Sequence, residues 1–446
     1  MMALQQAADI LKAPMHGHNT EFTSVSTDTR NIQPGDLYLA LHGERFDGHD
    51  FIEQAQRAGA SAAIVHKDIK TSLPYIKVED TRLALGKLAA ARRQTFHAPV
   101  VAVTGSNGKT TVKEMIAAIL GTQGEVLATQ GNFNNDIGLP LTLLRMQQED
   151  YAVIEMGANH AGEIAYLTQI TQPDIALITN AGPAHLEGFG SIRGVAEAKG
   201  EIYSGLTSTG IAIINLDDDY SEYWQSLCED KQVMSFSMSN REASVYGEWR
   251  AIDTGIELVV SIKGECFTVR MQLYGIHNAM NALTAITVAE ALQIPHEKII
   301  DALNDFTPVT GRLKLHHVTA SRIVIDDTYN ANPASLSAAI EVLKQLPGEH
   351  WLVLGDMGEL AGDGIRQHFD AGIQARESGI SRLLAVGDIS KHAVDAFGEG
   401  ASYFTGKDEL IAFVNQCKSD KVSILVKGSR FMHMEDIVNS LTGEDC

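Results

Sequence analysis

The feature that most constrains the fold of this chain is a buried strand, a glycine loop and a helix in direct succession. The strand is Val100–Val103, the loop reads T-G-S-N-G, and an apolar helix follows from Lys109 and Thr110. The amides of such a loop and the N terminus of the helix behind it form a cradle for anions. The sequence therefore predicts a phosphate-binding α/β domain, with Lys109 on the outer phosphates and Thr110 on a magnesium ion. A glycine-rich turn before a helix is the structural alternative.

Composition and charge limit the class of protein. The chain has 446 residues, 44% of them hydrophobic and 20% charged, as in a globular protein of about three domains. Its net charge of −21 argues against binding to nucleic acid or to an acidic membrane. The four cysteines have no C-x-x-C spacing, and the N terminus lacks the basic region of a signal peptide. We expect a cytoplasmic monomer without membrane insertion.

The spacing of apolar runs predicts three α/β domains. Residues 1–97 contain three short strands and a helix over 51–58, and 92–99 has the composition of a linker. Residues 98–310 alternate apolar strands with helical patterns, which is typical of a mostly parallel sheet, and 243–274 read as an antiparallel extension. Residues 311–446 form a Rossmann-like domain, in which strands end in Gly and a polar residue at the edge where such sheets bind ligands.

Three further residues point to chemistry at one edge of the central sheet. Glu155 ends an apolar strand, where a carboxylate is costly to bury unless it meets a cation such as magnesium. His185 follows another strand of this sheet and lands at the same edge. Lys199 lies on the next helix, and an ammonium cannot bind a metal ion. From the residues alone, a surface glutamate, a structural histidine and a solvated lysine remain open.

Two polar motifs are less specific. Asn134 and Asn135 belong to a loop, N-F-N-N-D, and loops of this composition are often simple turns. The run G-I-H-N-A-M-N opens an Ala-rich helix, in which His277 or Asn278 is either a ligand contact or an N cap.

These motifs, in this order, resemble those of the Mur ligases, the ATP-dependent amide ligases of peptidoglycan precursor synthesis. The resemblance covers nearly the whole chain and implies a small UDP-sugar-binding domain, a central P-loop ATPase domain and a C-terminal ligase domain. It extends over T-G-S-N-G-K-T-T, E-M-G-A-N-H, A-H-L-E-G-F-G, E-A-K-G-E-I, G-x-H-N-A-x-N, G-R-L and D-D-T-Y-N-A-N-P, with S-T-D-T-R and G-E-R-F-D-G-H-D near the N terminus.

Within the family, the chain is similar to the members that add a dipeptide. T-Y-N-A-N-P and G-D-M-G-E-L resemble those members, and the D-N-P-R motif of the diamino-acid-adding members does not occur. The resemblance implies that D-alanyl-D-alanine is joined to UDP-N-acetylmuramoyl tripeptide through an acyl phosphate. A diamino-acid-adding Mur ligase, a ligase like folylpolyglutamate synthase and a P-loop regulatory switch remain as alternatives. A switch would not need the polar strand ends of the third domain.

The resemblance also implies roles for individual residues, with ATP and two magnesium ions as cofactors. Thr110 and Glu155 would hold one magnesium ion, and His185 with a carbamylated Lys199 would hold the other, since a carbamate is an anionic oxygen ligand. Lys109, Glu155, His185 and Lys199 would be the catalytic residues. The nucleotide would contact Gly105, Ser106, Asn107, Gly108, Lys109, Thr110, Thr111, Asn278, Arg312, Asp326 and Tyr329. The other substrates would contact Ser26, Thr27, Arg30, Arg45, Asn134, Asn135, Lys427, Ser429 and Arg430.

Overall fold

The computed structural model describes residues 2–43, 46–183, 185–360, 362–417 and 421–443. Within these ranges it confirms the α/β prediction, because helices cover three main sheets whose strands are mostly parallel. Each sheet falls within one of the three domains predicted over 1–97, 98–310 and 311–446, and those boundaries stay predictions. No helix in the described ranges is long and apolar enough to cross a bilayer.

The first sheet is small and lies between helices. The helices Leu4–Leu11 and Thr81–Gln94 cover one face, and Ile52–Arg57 covers the other. The helix Leu4–Leu11 is amphipathic, with Leu4, Ala7, Ala8 and Leu11 buried on one side. In spatial order the described strands are Met15–His16, Tyr75–Lys77, Ala62–Val65, Leu37–Leu39 and Val25–Ser26.

The linker predicted over 92–99 is wrong in its first residues, because the helix Thr81–Gln94 continues through them. Arg93 is only 8% exposed. Its guanidinium donates to the carbonyl oxygens of Thr171 at 2.8 Å and Gln172 at 2.9 Å, and to the Asp174 carboxylate at 3.0 Å. Arg93, which lies in the segment predicted as a linker, therefore connects the first domain to the central one through hydrogen bonds and an ion pair.

The central sheet has nine strands among the described residues, and neighbouring strands pair parallel except in the last two pairings, which are antiparallel. The antiparallel extension predicted over 243–274 is therefore confirmed. The helices Lys109–Gly121 and Ile276–Ala291 pack on one face, and Glu163–Thr171 and Ile192–Gly200 on the other. The strands, in spatial order, are Val126–Ala128, Tyr151–Glu155, Val100–Thr104, Ile175–Ile178, Ile211–Asn215, Gln232–Ser237, Val245–Ile252, Gly255–Ile262 and Glu265–Met271.

The third sheet has one antiparallel strand at its edge and is otherwise parallel. The helices Pro333–Leu343, Gly364–Glu377 and Lys391–Phe397 cover one face, and Lys407–Gln416 and Glu435–Thr442 cover the other. The four inner strands are mostly apolar and buried, whereas the two edge strands are less apolar. Among the described residues the order is Lys314–Thr319, Arg322–Asp327, Val422–Lys427, Glu349–Leu354, Arg382–Val386 and Ala401–Phe404.

The buried carboxylate of Asp356 accepts hydrogen bonds at the carboxyl edge of this third sheet. Asp356 follows the strand Glu349–Leu354 and is 6% exposed. Its carboxylate accepts hydrogen bonds from the backbone N–H groups of Asp388 at 2.9 Å, Ile389 at 3.0 Å and Ser390 at 2.7 Å. These donors lie just before the helix Lys391–Phe397, so the carboxylate occupies the anion-binding end of that helix.

The remaining described elements are short. They are the helices Gly138–Leu144, Leu186–Phe189, Ser221–Ser226 and His296–Asn304, the single turns Gly48–Phe51, Glu201–Gly205 and Arg430–Met432, and the strand pairs Met2–Ala3 with Glu21–Phe22 and His42–Gly43 with Phe46–Asp47.

Candidate active site

A cavity of about 750 Å³ lies between the central and third domains. The central domain contributes the glycine loop and the residues that follow three of its parallel strands. The third domain contributes residues 329–332 and 358–360, together with the end of the strand Val422–Lys427. The carboxyl edges of two parallel sheets thus face one space, which is where such sheets bind ligands.

The glycine loop has the conformation that its sequence predicts. Gly105 has φ +151° and Gly108 has φ +83°, both in a region that other residues rarely adopt. A Cβ atom on Gly105 would lie 1.8 Å from Thr179 Oγ1, and one on Gly108 would lie 2.5 Å from Asn281 Oδ1. Glycine is required at both positions, because the loop turns tightly against its neighbours before the helix begins at Lys109.

Lys109 and Glu155 bring opposite charges together beneath this loop. Lys109 Nζ donates to the carbonyl oxygens of Gly105 at 2.7 Å and Ser106 at 3.3 Å. Burial lowers the pKa of Lys109, and the nearby Glu155 carboxylate opposes that change. Glu155 is 2% exposed and its Oε1 accepts a hydrogen bond from Asn134 Nδ2 at 2.8 Å.

The second oxygen of Glu155, Oε2, is buried without a hydrogen-bond partner among the described residues. A buried carboxylate oxygen is costly to leave unpaired. Anionic oxygens of this kind are the ligands that magnesium prefers. No group of three or more His, Cys, Asp or Glu side chains in the described ranges could hold a metal ion unaided. A magnesium ion at Glu155 would therefore also need hydroxyl, phosphate or water oxygens.

Lys199 is buried on the helix Ile192–Gly200, and its side chain is not that of a solvated surface lysine. Burial lowers its pKa well below 10.5, and the positive charge of Lys109 lowers it further. Its Nζ lies 6.0 Å from the centroid of the Phe189 ring, and in the described part of the chain it has no hydrogen bond or ion pair. The site therefore favours a neutral amine.

His185 contacts a carboxylate of the third domain that the sequence did not single out. His185 Nδ1 lies 2.9 Å from Glu359 Oε2, and the hydrogen bond from His185 lowers the pKa of Glu359. Both residues have left-handed backbones, with φ +54° and +62°. Glu359 belongs to the motif G-D-M-G-E-L, whose contact with His185 arises only when the two domains meet.

Two other side chains of the third domain reach the glycine loop. Arg312 Nη2 donates to Thr110 Oγ1 at 3.1 Å, and its guanidinium carbon lies 4.0 Å from the centroid of the Tyr329 ring. Asn332 Nδ2 donates to Asn107 Oδ1 at 3.1 Å. The structure thus brings Arg312 and Tyr329 to the loop, as a joint nucleotide site requires.

Asp326 and Asn278 were also predicted to bind the nucleotide. The Asp326 carboxylate accepts hydrogen bonds from Gly311 N at 2.8 Å and Thr328 Oγ1 at 2.6 Å, and it supports the cavity from behind. Asn278 lines the cavity and donates to Tyr274 O at 2.9 Å. The N cap of its helix is Gly275, so neither Asn278 nor His277 has that role.

His277 also lines the cavity, and the sequence left its role open between a ligand contact and an N cap. Its Nε2 is buried and has no hydrogen-bond partner within the described ranges. Burial lowers the pKa of His277 to about 4, so its ring is neutral at neutral pH.

The predicted substrate residues of the third domain differ in exposure. Lys427 is 1% exposed and donates to the Asp327 carboxylate and, at 3.0 Å, to Asn330 O. Ser429 Oγ accepts from Gly358 N at 2.8 Å. Arg430 lines the cavity, and its guanidinium is 59% exposed although it pairs with Glu435 at 2.8 Å. Arg430 is thus the cation of this group that a ligand can reach.

Of the predicted substrate residues in the first two domains, some line the cavity and others lie outside it. Asn134 and Asn135 line the cavity, and Asn135 Oδ1 accepts from Gly138 N at 2.8 Å. Ser26, Thr27 and Arg30 lie in the first domain outside the cavity wall, where Arg30 pairs with Asp28 at 2.6 Å. Arg45 lies outside the described residues.

A glycine loop that faces a third domain across a shared cleft defines a nucleotide-dependent enzyme that works between two domains. Family models match in three places: "Mur ligase family, catalytic domain" over residues 21–93, "Mur ligase middle domain" over 103–289, and "Mur ligase, glutamate ligase domain" over 311–430.

Full-length relatives agree with these matches. UDP-N-acetylmuramoyl-tripeptide--D-alanyl-D-alanine ligase of Escherichia coli (strain K12) is 43% identical over 99% of this chain and 98% of its own. A crystal structure of MurF from Acinetobacter baumannii is 36% identical over 98% of both chains, with a TM-score of 0.91. MurF ligase from Thermotoga maritima in complex with ADP is 27% identical over 94% of this chain and 97% of its own, with a TM-score of 0.83. The chain belongs to the Mur ligase family.

Proposed function

We infer that the chain is an ATP-dependent ligase that joins D-alanyl-D-alanine to UDP-N-acetylmuramoyl tripeptide in peptidoglycan precursor synthesis. The cavity supports this function because the glycine loop and the strand ends of the third domain share it. Relatives that match over almost their whole length carry this activity in their names. A regulatory switch or a diamino-acid-adding ligase is not favoured by these relatives.

In this reaction, the terminal carboxylate of the tripeptide attacks the γ-phosphorus of ATP and forms an acyl phosphate with release of ADP. The ammonium group of the dipeptide loses a proton, and the resulting neutral amine attacks the acyl carbon. Phosphate leaves, the amine loses its proton and an amide bond remains. The chain contributes mainly by positioning two anions close together and by placing Lys109 where negative charge develops.

For the nucleotide, we propose that residues 105–111 hold the phosphates of ATP. Arg312 lies against Thr110 and is suited to the γ-phosphate. The Tyr329 ring and the Asn278 amide line the same cavity and are suited to the remainder of the nucleotide. We propose that Asp326 reaches the ribose, or supports that wall through its bond to Gly311.

Magnesium, when bound, would neutralise charge on the triphosphate and the carboxylate. Glu155, through its unpartnered Oε2, and Thr110 fit a first ion. We propose that His185 and a carbamylated Lys199 would hold a second one. The carbamate forms when the neutral Lys199 amine adds to the carbon of carbon dioxide and releases one proton. The lowered pKa of Lys199 supports this step, because an ammonium has no lone pair to donate.

For the other substrates, we propose that Asn134 and Asn135 face the muramoyl peptide. Ser26, Thr27, Arg30 and Arg45 would hold the UDP-sugar in the first domain. Arg430 would bind the carboxylate of the dipeptide. Lys427 and Ser429 are engaged by neighbouring residues, and they would position this wall of the cavity.

The function is tested by phosphate release from ATP with UDP-N-acetylmuramoyl tripeptide, in the presence and absence of D-alanyl-D-alanine. We expect phosphate release that depends on the dipeptide. Mass spectrometry should show a product heavier than UDP-N-acetylmuramoyl tripeptide by two D-alanyl residues. A parallel reaction with UDP-N-acetylmuramoyl dipeptide and diaminopimelate is the control. Turnover in the control but not in the main reaction would overturn the proposed function.

A further inference from the structure

A second charged side chain stands beside Arg430 on the third-domain wall of the cavity. Glu359 lines the cavity, and its side chain is 57% exposed. Its Oε2 contacts His185 Nδ1 at 2.9 Å, and its Oε1 accepts no hydrogen bond from the described residues. The left-handed backbone of Glu359 is unfavourable for a glutamate. Such conformations are costly, and they cluster at active sites and ligand clamps.

Glu359 and Arg430 are carried by backbone segments that contact each other. Gly358, directly before Glu359, donates its N–H to Ser429 Oγ at 2.8 Å. A Cβ atom on Gly358 would lie 3.0 Å from the Phe431 ring. Since Ser429 and Phe431 flank Arg430 in the chain, one tightly packed contact fixes an anion and a cation on the same wall.

The other acidic residues that line the cavity either have partners in the protein or are buried. The Asp327 carboxylate pairs with the buried Lys427. Glu163 accepts a hydrogen bond from Asn159 N at 2.8 Å and lies 3.2 Å from His160 Nδ1. Glu155 is buried below the glycine loop. Among the described residues that line the cavity, Glu359 therefore combines a third-domain location with a carboxylate oxygen open to a ligand.

We propose that Glu359 binds the ammonium group of the incoming dipeptide, while Arg430 binds its carboxylate. This inference rests on the proposed function and names the residue that recognises the amine. The substrate class is a short zwitterionic peptide, which carries one charge of each sign, as this pair of side chains does. Hydrogen bonds between charged partners are stronger than neutral ones. Glu359 contacts His185, so a ligand of Glu359 would lie at the central-domain wall, near Lys109 and the glycine loop.

The variants Glu359→Gln and Glu359→Gly test this assignment. Both remove the negative charge, and glycine also relieves the left-handed backbone, so Glu359→Gly should fold at least as stably as the wild type. We expect the KM for D-alanyl-D-alanine to rise about 10- to 100-fold in both variants, which is the range for loss of a charged hydrogen bond. The KM for ATP should not change. Glu341→Gln is the control, since Glu341 is an exposed third-domain glutamate paired with Lys344.

A probe without the ammonium separates binding from an indirect effect through His185. D-lactyl-D-alanine has a hydroxyl in place of the ammonium and keeps the carboxylate. The wild type should bind the dipeptide more tightly than this probe, as measured by competition and calorimetry, and Glu359→Gln should bind the two alike. A variant with lower kcat but unchanged discrimination would show that Glu359 only orients His185.

The outcomes also separate this inference from the proposed function. If the wild type releases no phosphate in response to the dipeptide, the function itself is wrong. If the wild type is active and both Glu359 variants keep its KM for the dipeptide, only the ammonium assignment fails.

Discussion

Replacing Lys199 with methionine should stabilise the central domain and abolish ligation. Methionine is unbranched and flexible like lysine, fills a similar volume and carries no amine. The Lys199 side chain is 2% exposed, and its burial lowers the pKa well below 10.5. The folded chain therefore holds a neutral amine at pH values where the unfolded chain binds a proton. Folding releases that proton at a cost, which the methionine variant does not incur.

The magnitude of this effect follows from the proton balance. Stability rises with pH wherever the unfolded state binds more protons than the folded state. Between the lowered pKa and 10.5, Lys199 should therefore add up to about 1.4 kcal/mol to the free energy of unfolding for each pH unit. The variant lacks this slope. Its advantage over the wild type should be larger at pH 7 than at pH 9, and it should vanish near pH 10.5.

Urea unfolding in buffer free of carbon dioxide measures this difference. In a Trp351→Phe background, Trp224 and Trp249 report on the central domain by fluorescence. Trp224 is well placed because its indole N–H donates to Ala196 O, at 3.0 Å, on the helix that carries Lys199. A methionine variant that is less stable at pH 7, or an advantage that does not shrink by pH 9, would show that the folded chain carries a charged amine.

Three further variants test other parts of the site. Lys109→Ala should lower ATP-dependent phosphate release at least about 100-fold, because it removes charge from the transferred phosphoryl group, and near-normal turnover in a folded variant would contradict the cradle. Gly105→Ala should weaken ATP binding in calorimetry and lower the Tm, since its Cβ would lie 1.8 Å from Thr179 Oγ1; unchanged values would mean that the loop tolerates a side chain. Arg430→Ala should raise the KM for D-alanyl-D-alanine about 10-fold or more and leave that for ATP unchanged. Steady-state kinetics would refute the clamp if both constants rose equally.

The parts of the site that sequence predicts well are those built from adjacent residues. The glycine loop, its strand and its helix follow one another in the chain, so local pattern determines their geometry. Glu155 and His185 were placed on one edge because parallel strands share an edge. The contact of Glu359 with His185 could not be predicted, because it depends on how two domains meet. Arg93 was misread for the same reason, since its carbonyl partners, Thr171 among them, belong to another domain.

The carboxylate of Asp356 has a consequence for the design of inhibitors. In Rossmann-like sheets, the corresponding helix start receives the phosphate of a bound nucleotide. Here three backbone N–H groups already bind a side chain of the protein itself. A phosphate mimic aimed at this strand end would have to displace an internal anion. Compounds that carry phosphate groups are therefore best directed at the loop of the central domain. Compounds against the third domain should instead present paired opposite charges to Glu359 and Arg430.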